Sequence, residues 1–332
     1  MEQLIRDSSL KELLKYVGAK LEQREGALFY KTKKGRWAGT EKKIETKSDL
    51  LNIIYHYIEY GRSLRNPTKN KAYSTLGGIA LLHREFYLAV ECYQKTGKSE
   101  KLRETAVNAL EDGDAGSLYE ASRAYNILRD LEGVHSVIKA AIGQGIAGEI
   151  ENYLPDELCT DFYAKLDGYC KRHGFDPCVK FPLAKSINAA FNLVPKYDLG
   201  IGVAKGGLYS SFLFSLFGLK TYTVEVHNHN GEGILKIENL APEKLEGKRV
   251  LVLDKDVVSG NTLKLVAEAL GKMRASAFDV FLSYNPVCES GASIGSVVKN
   301  VPKQFGNVFY PALFGYDRFV EALETLEEKL KS

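Results

Sequence analysis

The chain has 332 residues, of which 45% are hydrophobic and 26% charged, with a formal net charge of +3. That length suits two ordinary domains and that composition a soluble globular protein, while the charge is too small to imply nucleic-acid binding by itself. No run approaches the roughly 20 apolar residues that a membrane span needs.

The opening MEQLIRDSSLKELL carries acids and no apolar h-region, so no signal peptide is expected. The five cysteines, Cys92, Cys159, Cys170, Cys178 and Cys288, are scattered and form no CxxC pair. This argues against a disulfide framework and against a zinc site, and the cytoplasm is the expected compartment.

In chain order, a first helix is predicted from Ser9, where Ser9 and Glu12 form a capping box. A short β-ribbon is predicted near 27–38, turning at Lys34-Gly35. Its basic residues surround Trp37 and Tyr30, a pattern that can grip single strands but more often marks a solvated hairpin. From Ser48 the pattern is helical, with Leu50, Leu51, Ile54, Tyr57 and Ile58 on one face, and Pro67 interrupts it.

Leu76-Gly77, Ala80, Ala89 and Tyr93 then fall at spacings that resemble a tetratricopeptide repeat, where small residues let paired helices approach. A second helical pair is predicted from Ser117, capped with Glu120. Pro155 opens another helix ending at Gly174, and Pro177 and Pro182 mark a boundary. The front half, 1–176, is therefore expected to be helical hairpins. His56, His83, His135 and His173 are isolated and read as surface or packing residues.

The back half, 177–332, alternates strands and helices. Asp198–Ala204 is a strand, Lys205-Gly206-Gly207 a loop at its end, and LYSSFLFSLFGL a helix. Thr221–Val226 is the next strand, and the polar stretch His227–Gly233 is expected to be a mobile loop. The HxH pair in that loop reads as a surface turn rather than a metal site. Val250–Leu253 is an apolar run suited to a strand buried on both faces. Asp254 and Asp256 lie at its end, followed by Ser259-Gly260-Asn261-Thr262 and the helical pattern LKLVAEALGKM. Unsatisfied N–H groups and the dipole at that helix start favour an anion. Phe278–Ser283 is a further strand, and an amphipathic helix closes the chain.

The stretch RVLVLDKDVVSGNTL resembles the phosphoribosyl-diphosphate (PRPP) signature of type I phosphoribosyltransferases. Asp254 falls on the first acidic position, Val257 on an apolar one, Ser259-Gly260 on the Thr-Gly pair and Thr262 on the final hydroxyl. Lys255 stands where the second acid belongs, and Asp256 where an apolar residue is usual. Lys205-Gly206 occupies the place of the family's diphosphate loop, and Phe309, Tyr310, Phe314 and Tyr316 fall where a hood would stack the acceptor, although core packing is the commoner use of such residues.

The resemblance covers roughly 178–332. It implies a parallel-sheet α/β domain, Mg²⁺ as cofactor, and a phosphorylated small-molecule ligand. Ser259, Gly260, Asn261 and Thr262 would hold the 5-phosphate. Lys205, Gly206 and Gly207 would hold diphosphate, and Asp254 and Asp256 the ribose hydroxyls or the metal. The expected activity is transfer of ribose 5-phosphate to a nitrogenous base. Val258, in a position that carries Asp in the 6-oxopurine enzymes, points away from such acceptors.

Two other classes stay open. Lys255 suits a non-catalytic sensor of PRPP or a nucleotide, and the helical half suits a scaffold for a protein partner. A homodimer is also open; nucleic acid and membrane are not expected.

Overall fold

The computed structural model describes residues 8–16, 19–24, 27–32, 41–60, 66–175, 182–229, 232–237, 242–257, 259–283 and 298–331. By internal contacts it forms two compact units, Met1–Ile146 and Ala147–Ser332.

The first unit opens with helix α1 (Ser8–Tyr16) and a three-stranded antiparallel sheet of β1 (Ala19–Arg24), β2 (Ala27–Thr32) and β3 (Glu41–Ile44), in the order β1-β2-β3. Of these three strands the sequence marked β2 alone, inside the ribbon expected near 27–38. Half of β1 and most of β3 is charged, so their hydrophobic alternation is too faint to read. The expected turn at Lys34-Gly35, with Trp37, lies outside the described residues.

Helix α2 (Lys47–Tyr60) buries the predicted face of Leu50, Leu51, Ile54, Tyr57 and Ile58. Its start is held by a reciprocal pair: Asp49 N–H donates to Thr46 Oγ1 at 3.0 Å and Thr46 N–H to Asp49 Oδ2 at 2.8 Å. Helical hairpins follow: α3 (Asn66–Leu82) packs on α4 (Phe86–Thr96), and α5 (Ser99–Asp112) on α6 (Ala115–Leu128), with α7 (Leu131–Gly143) against α6. Leu76, Ala80, Ala89 and Tyr93 are buried in the first hairpin.

The cap predicted at Ser117 is instead Asp114, whose side chain accepts the Ser117 N–H at 2.9 Å, so α6 begins three positions earlier. The groups the predicted capping box needs are spent elsewhere: Ser117 Oγ donates toward Asp112 and Asp114, and Glu120 is engaged with Arg123.

The second unit begins before the predicted boundary of 176/177. Helix α8 (Asp156–Arg172) packs against α10 (Leu208–Leu216) and α12 (Phe319–Lys331), which places it with the α/β unit. Periodicity alone could not assign this helix, because it says that a face is apolar and not which partner covers it. Helix α9 (Leu183–Leu193) packs on α10 and α12 as well.

The sheet has the order β6-β5-β4-β7-β8-β9, from β4 (Leu199–Val203), β5 (Thr221–His229), β6 (Glu232–Ile237), β7 (Arg249–Asp254), β8 (Ala277–Leu282) and β9 (Val308–Phe309). All neighbours are parallel except β6, which runs antiparallel to β5. The stretch expected as a mobile polar loop is therefore largely paired backbone, with His227 opposite Ile234, Asn228 opposite Gly233 and His229 opposite Glu232. The side-chain alternation rule missed it because ladder hydrogen bonds come from the backbone and tolerate polar side chains at a sheet edge.

Alternate residues of β4 and β7 face opposite layers. Ile201, Val203, Val250 and Val252 pack with Leu263, Val266 and Leu270 of α11 (Asn261–Lys272). On the other face Phe214 of α10 meets Phe281 of β8, with ring centroids 5.1 Å apart. The continuous apolar run of β7 is the signature of a strand covered on both sides.

Candidate functional site

Strand order creates the site. From β4 the chain crosses to β5 on one side, and from β7 it crosses to β8 on the other, so neighbouring β4 and β7 are the point where the winding reverses. The loops leaving their C-terminal ends diverge there, and open α/β sheets bind ligands in the resulting crevice. A cleft of about 210 Å³ lies at this place, lined by Val203 and Ala204 from the end of β4 and by Asp254, Asp256, Val257, Ser259, Gly260, Thr262 and Leu263 from the end of β7.

The loop after β7 enters α11 through Gly260. Its φ of +77° is a left-handed conformation that costs a side-chain-bearing residue about 1–2 kcal/mol. A Cβ there would also collide with the Asn300 carbonyl oxygen. Ser259 Oγ accepts the Asn261 N–H at 3.4 Å, and Lys264 N–H donates to the Gly260 carbonyl at 2.9 Å, the first bond of the helix. The hydroxyls of Ser259 and Thr262 thus stand at the positive end of a three-turn helix.

The loop after β4 is equally tight. Gly207 N–H donates to the Val203 carbonyl at 2.6 Å, and Ser211 Oγ donates to the Gly207 carbonyl at 2.8 Å. A Cβ on Gly207 would overlap the Leu253 carbonyl oxygen, so this loop can lie against β7 as closely as it does only with glycine. The Ala204–Lys205 peptide is cis. A Cβ on Gly206 would stand 2.9 Å from Asp254 Oδ1 and 2.6 Å from Lys255 Cβ, which puts the two loops edge to edge.

Of the acidic triplet region, Asp254 and Asp256 both line the cleft, while the Lys255 stem abuts Gly206. Asp254 is buried, and burial pushes its carboxyl up to about 7; the Lys255 N–H, 2.7 Å from Oδ1, pulls the other way, and the Asp256 charge adds to the rise.

Each candidate from the sequence can now be placed. Asp254, Asp256, Ser259, Gly260 and Thr262 share the cleft. Asn261 opens α11 beside it, and Lys205, Gly206 and Gly207 form the facing loop. Val258 lies outside the described residues. Phe309 and Phe314 pack on each other at 6.1 Å between centroids, and Tyr316 on Phe319 at 5.4 Å. Sequence reasoning missed Ala204, which supplies backbone to the cleft wall, and Phe175, whose ring centroid lies 5.7 Å from Lys205 Nζ. The Gly174 helix stop was the available signal for the latter.

Mg²⁺ takes oxygen ligands and is usually held by one or two carboxylates together with substrate phosphates. Asp256 and the second oxygen of Asp254 fit that donor set. Among the described residues no group of three or more His, Cys, Asp or Glu is placed to hold an ion without a ligand's help. Among those residues, too, no helix is long and apolar enough to cross a membrane.

No family model matches the chain, and no curated protein does. Solved structures resemble parts of it. A purine phosphoribosyltransferase from Pyrococcus horikoshii Ot3 is 25% identical over 30% of this chain and 70% of its own, with a TM-score of 0.28. A hypothetical protein from Neisseria gonorrhoeae with bound ppGpp is 18% identical over 44% of this chain and 92% of its own, with a TM-score of 0.26. A hypoxanthine phosphoribosyltransferase from Staphylococcus aureus is 18% identical over 38% of this chain and 74% of its own, with a TM-score of 0.24. At these scores the likeness identifies neither a family nor a ligand for this chain.

Proposed function

We propose that the Ala147–Ser332 unit binds PRPP in the cleft between the ends of β4 and β7 and transfers its ribose 5-phosphate to a nitrogenous base other than a 6-oxopurine. The observation that carries this reading is the meeting of two carboxylates and two hydroxyls with a helix N-terminus at the sheet's switch point. Ser259, Gly260, Asn261 and Thr262 hold the 5-phosphate, through hydroxyls and first-turn N–H groups.

Asp254 and Asp256 hold the ribose hydroxyls. In the reaction the bond from C1 to diphosphate breaks, a bond from C1 to the acceptor nitrogen forms, and the proton of that nitrogen passes to solvent. Charge collects on the departing diphosphate, where the Lys205 ammonium and the Gly206 backbone meet it, while Gly207, its N–H given to the Val203 carbonyl, lets the loop lie against β7. Asp254 and Asp256 would also hold Mg²⁺, which, when bound, neutralises part of that charge.

Lys255 favours a second reading, a PRPP or nucleotide sensor without turnover. It substitutes an ammonium for the carboxylate expected beside the diphosphate loop, a two-unit change in local charge. One assay separates the two: diphosphate release from PRPP and Mg²⁺ across nucleobases, orotate and small amines. Release with one acceptor, largely lost in Lys205→Ala with little change in PRPP affinity, is expected for the transferase. PRPP binding without release across the panel favours the sensor.

Either reading requires the phosphate loop, so Thr262→Val should weaken PRPP by about 1.5–3 kcal/mol in calorimetry. An unchanged affinity would remove the loop from both readings.

A further inference from the structure

We infer that Phe175 is a positioning residue for Lys205, its ring face holding the ammonium beside the Lys205–Gly207 loop both before and while it meets a ligand's diphosphate. This rests on the ligand reading given above.

In the sequence Phe175 directly follows the Gly174 helix stop, ahead of the boundary marked by Pro177 and Pro182. In the fold it is the last turn of α8 that aims it. Gly174, at φ +77°, closes the helix with its N–H donating to the Lys171 carbonyl at 3.0 Å, and Phe175 N–H donates to the Cys170 carbonyl at 3.1 Å. This double closure fixes the direction in which the chain leaves the helix. The ring, half-buried, then faces Lys205 Nζ at 5.7 Å from its centroid, within cation–π range.

The two partners are held in one packed layer. Phe212 of α10 meets Phe162 and Tyr169 of α8, each at 5.4 Å between centroids, and α10 begins directly after the Lys205–Gly207 loop. The aromatic packing that locks α8 to α10 therefore also sets the distance from ring to ammonium.

A lysine with four rotatable stem bonds otherwise samples many positions, and ordering it opposes binding. The ring restricts that sampling. The attraction acts on the charge and consumes no N–H, so the ammonium donates to a phosphate oxygen while it stays over the ring.

The test uses the full chain and titrates inorganic diphosphate and PRPP calorimetrically into wild type, Phe175→Leu, Phe175→Tyr, Lys205→Met and the double variant of Lys205→Met with Phe175→Leu. Phe175→Leu, which keeps an apolar side chain and removes the ring face, should weaken diphosphate about three- to tenfold. Phe175→Tyr should stay within about twofold of wild type, because it keeps the ring. In the Lys205→Met background, Phe175→Leu should have no further effect.

A ligand-free readout accompanies it: the ring should shift the Lys205 Cε proton resonance upfield in wild type and Phe175→Tyr, and not in Phe175→Leu. Equal diphosphate affinity in wild type and Phe175→Leu would overturn the inference and leave the ligand reading standing. So would an equal loss in the Lys205→Met background, which would mark Phe175 as structural. Wild type that shows the shift and binds neither probe would overturn the ligand reading, and the positioning role with it.

Discussion

At the scale of single residues, Asp254 is the most consequential placement. A carboxyl in water ionises at 3.8, and burial at the end of β7 lifts this one to about 7. Its proton is therefore bound more tightly in the folded chain than in the unfolded one. The stabilisation this brings is complete below about pH 4 and is lost as pH rises through about 7, with roughly 4 kcal/mol as an upper bound. The ligand-free protein should accordingly lose thermal stability between pH 5 and pH 8. Asp254→Asn, which keeps the shape without the charge, should flatten that slope and raise Tm at pH 8. Parallel Tm-against-pH curves for the two proteins would show that Asp254 is not titrating in this window.

Among the elements, the turn from β7 into α11 depends on a backbone state and not on a side chain. Gly260→Ala must pay the left-handed backbone cost and also displace the Asn300 carbonyl, so a loss of about 2–5 kcal/mol is expected from the two together. Urea unfolding of the variant measures it, and an unchanged midpoint would mean that the loop adopts another conformation in solution. The helical hairpins of the first unit carry their own polar ties. Arg123 is paired with both Glu91 and Glu120, and Tyr55 donates to Glu91 at 2.9 Å, so α2, α4 and α6 are joined through one half-buried network. Such a network fixes the register of stacked helices more than it adds net stability.

For the whole molecule, the consequence of α8 packing on α10 and α12 is a revised boundary. A fragment of residues 147–332 should fold cooperatively by itself, and one of residues 177–332 should not, because it leaves the apolar faces of α10 and α12 uncovered. Circular dichroism melts of the two purified fragments decide it; equal cooperativity would restore the later boundary. Limited proteolysis of the full chain should likewise yield a stable fragment beginning near Ala147.

Much of this protein could be read from local chemistry. The apolar run Val250–Leu253 is legible as a strand covered on two faces, and Gly and hydroxyl residues before LKLVAEALGKM are legible as an anion-ready helix start, since both depend on residues adjacent in the chain. The face of α2 and the end of α8 at Gly174 were legible for the same reason. Tertiary structure decided what sequence distance hides. It brought Ala204 across to the Asp254–Thr262 loop, because strand order is set by packing of both sheet faces. It gave α8 to the second unit, because an amphipathic helix does not name its partner. It paired the polar stretch after β5 through backbone hydrogen bonds, which side-chain patterns do not report. And it set Phe175 over Lys205, a contact between residues thirty positions apart that only the docking of α8 on α10 brings within reach.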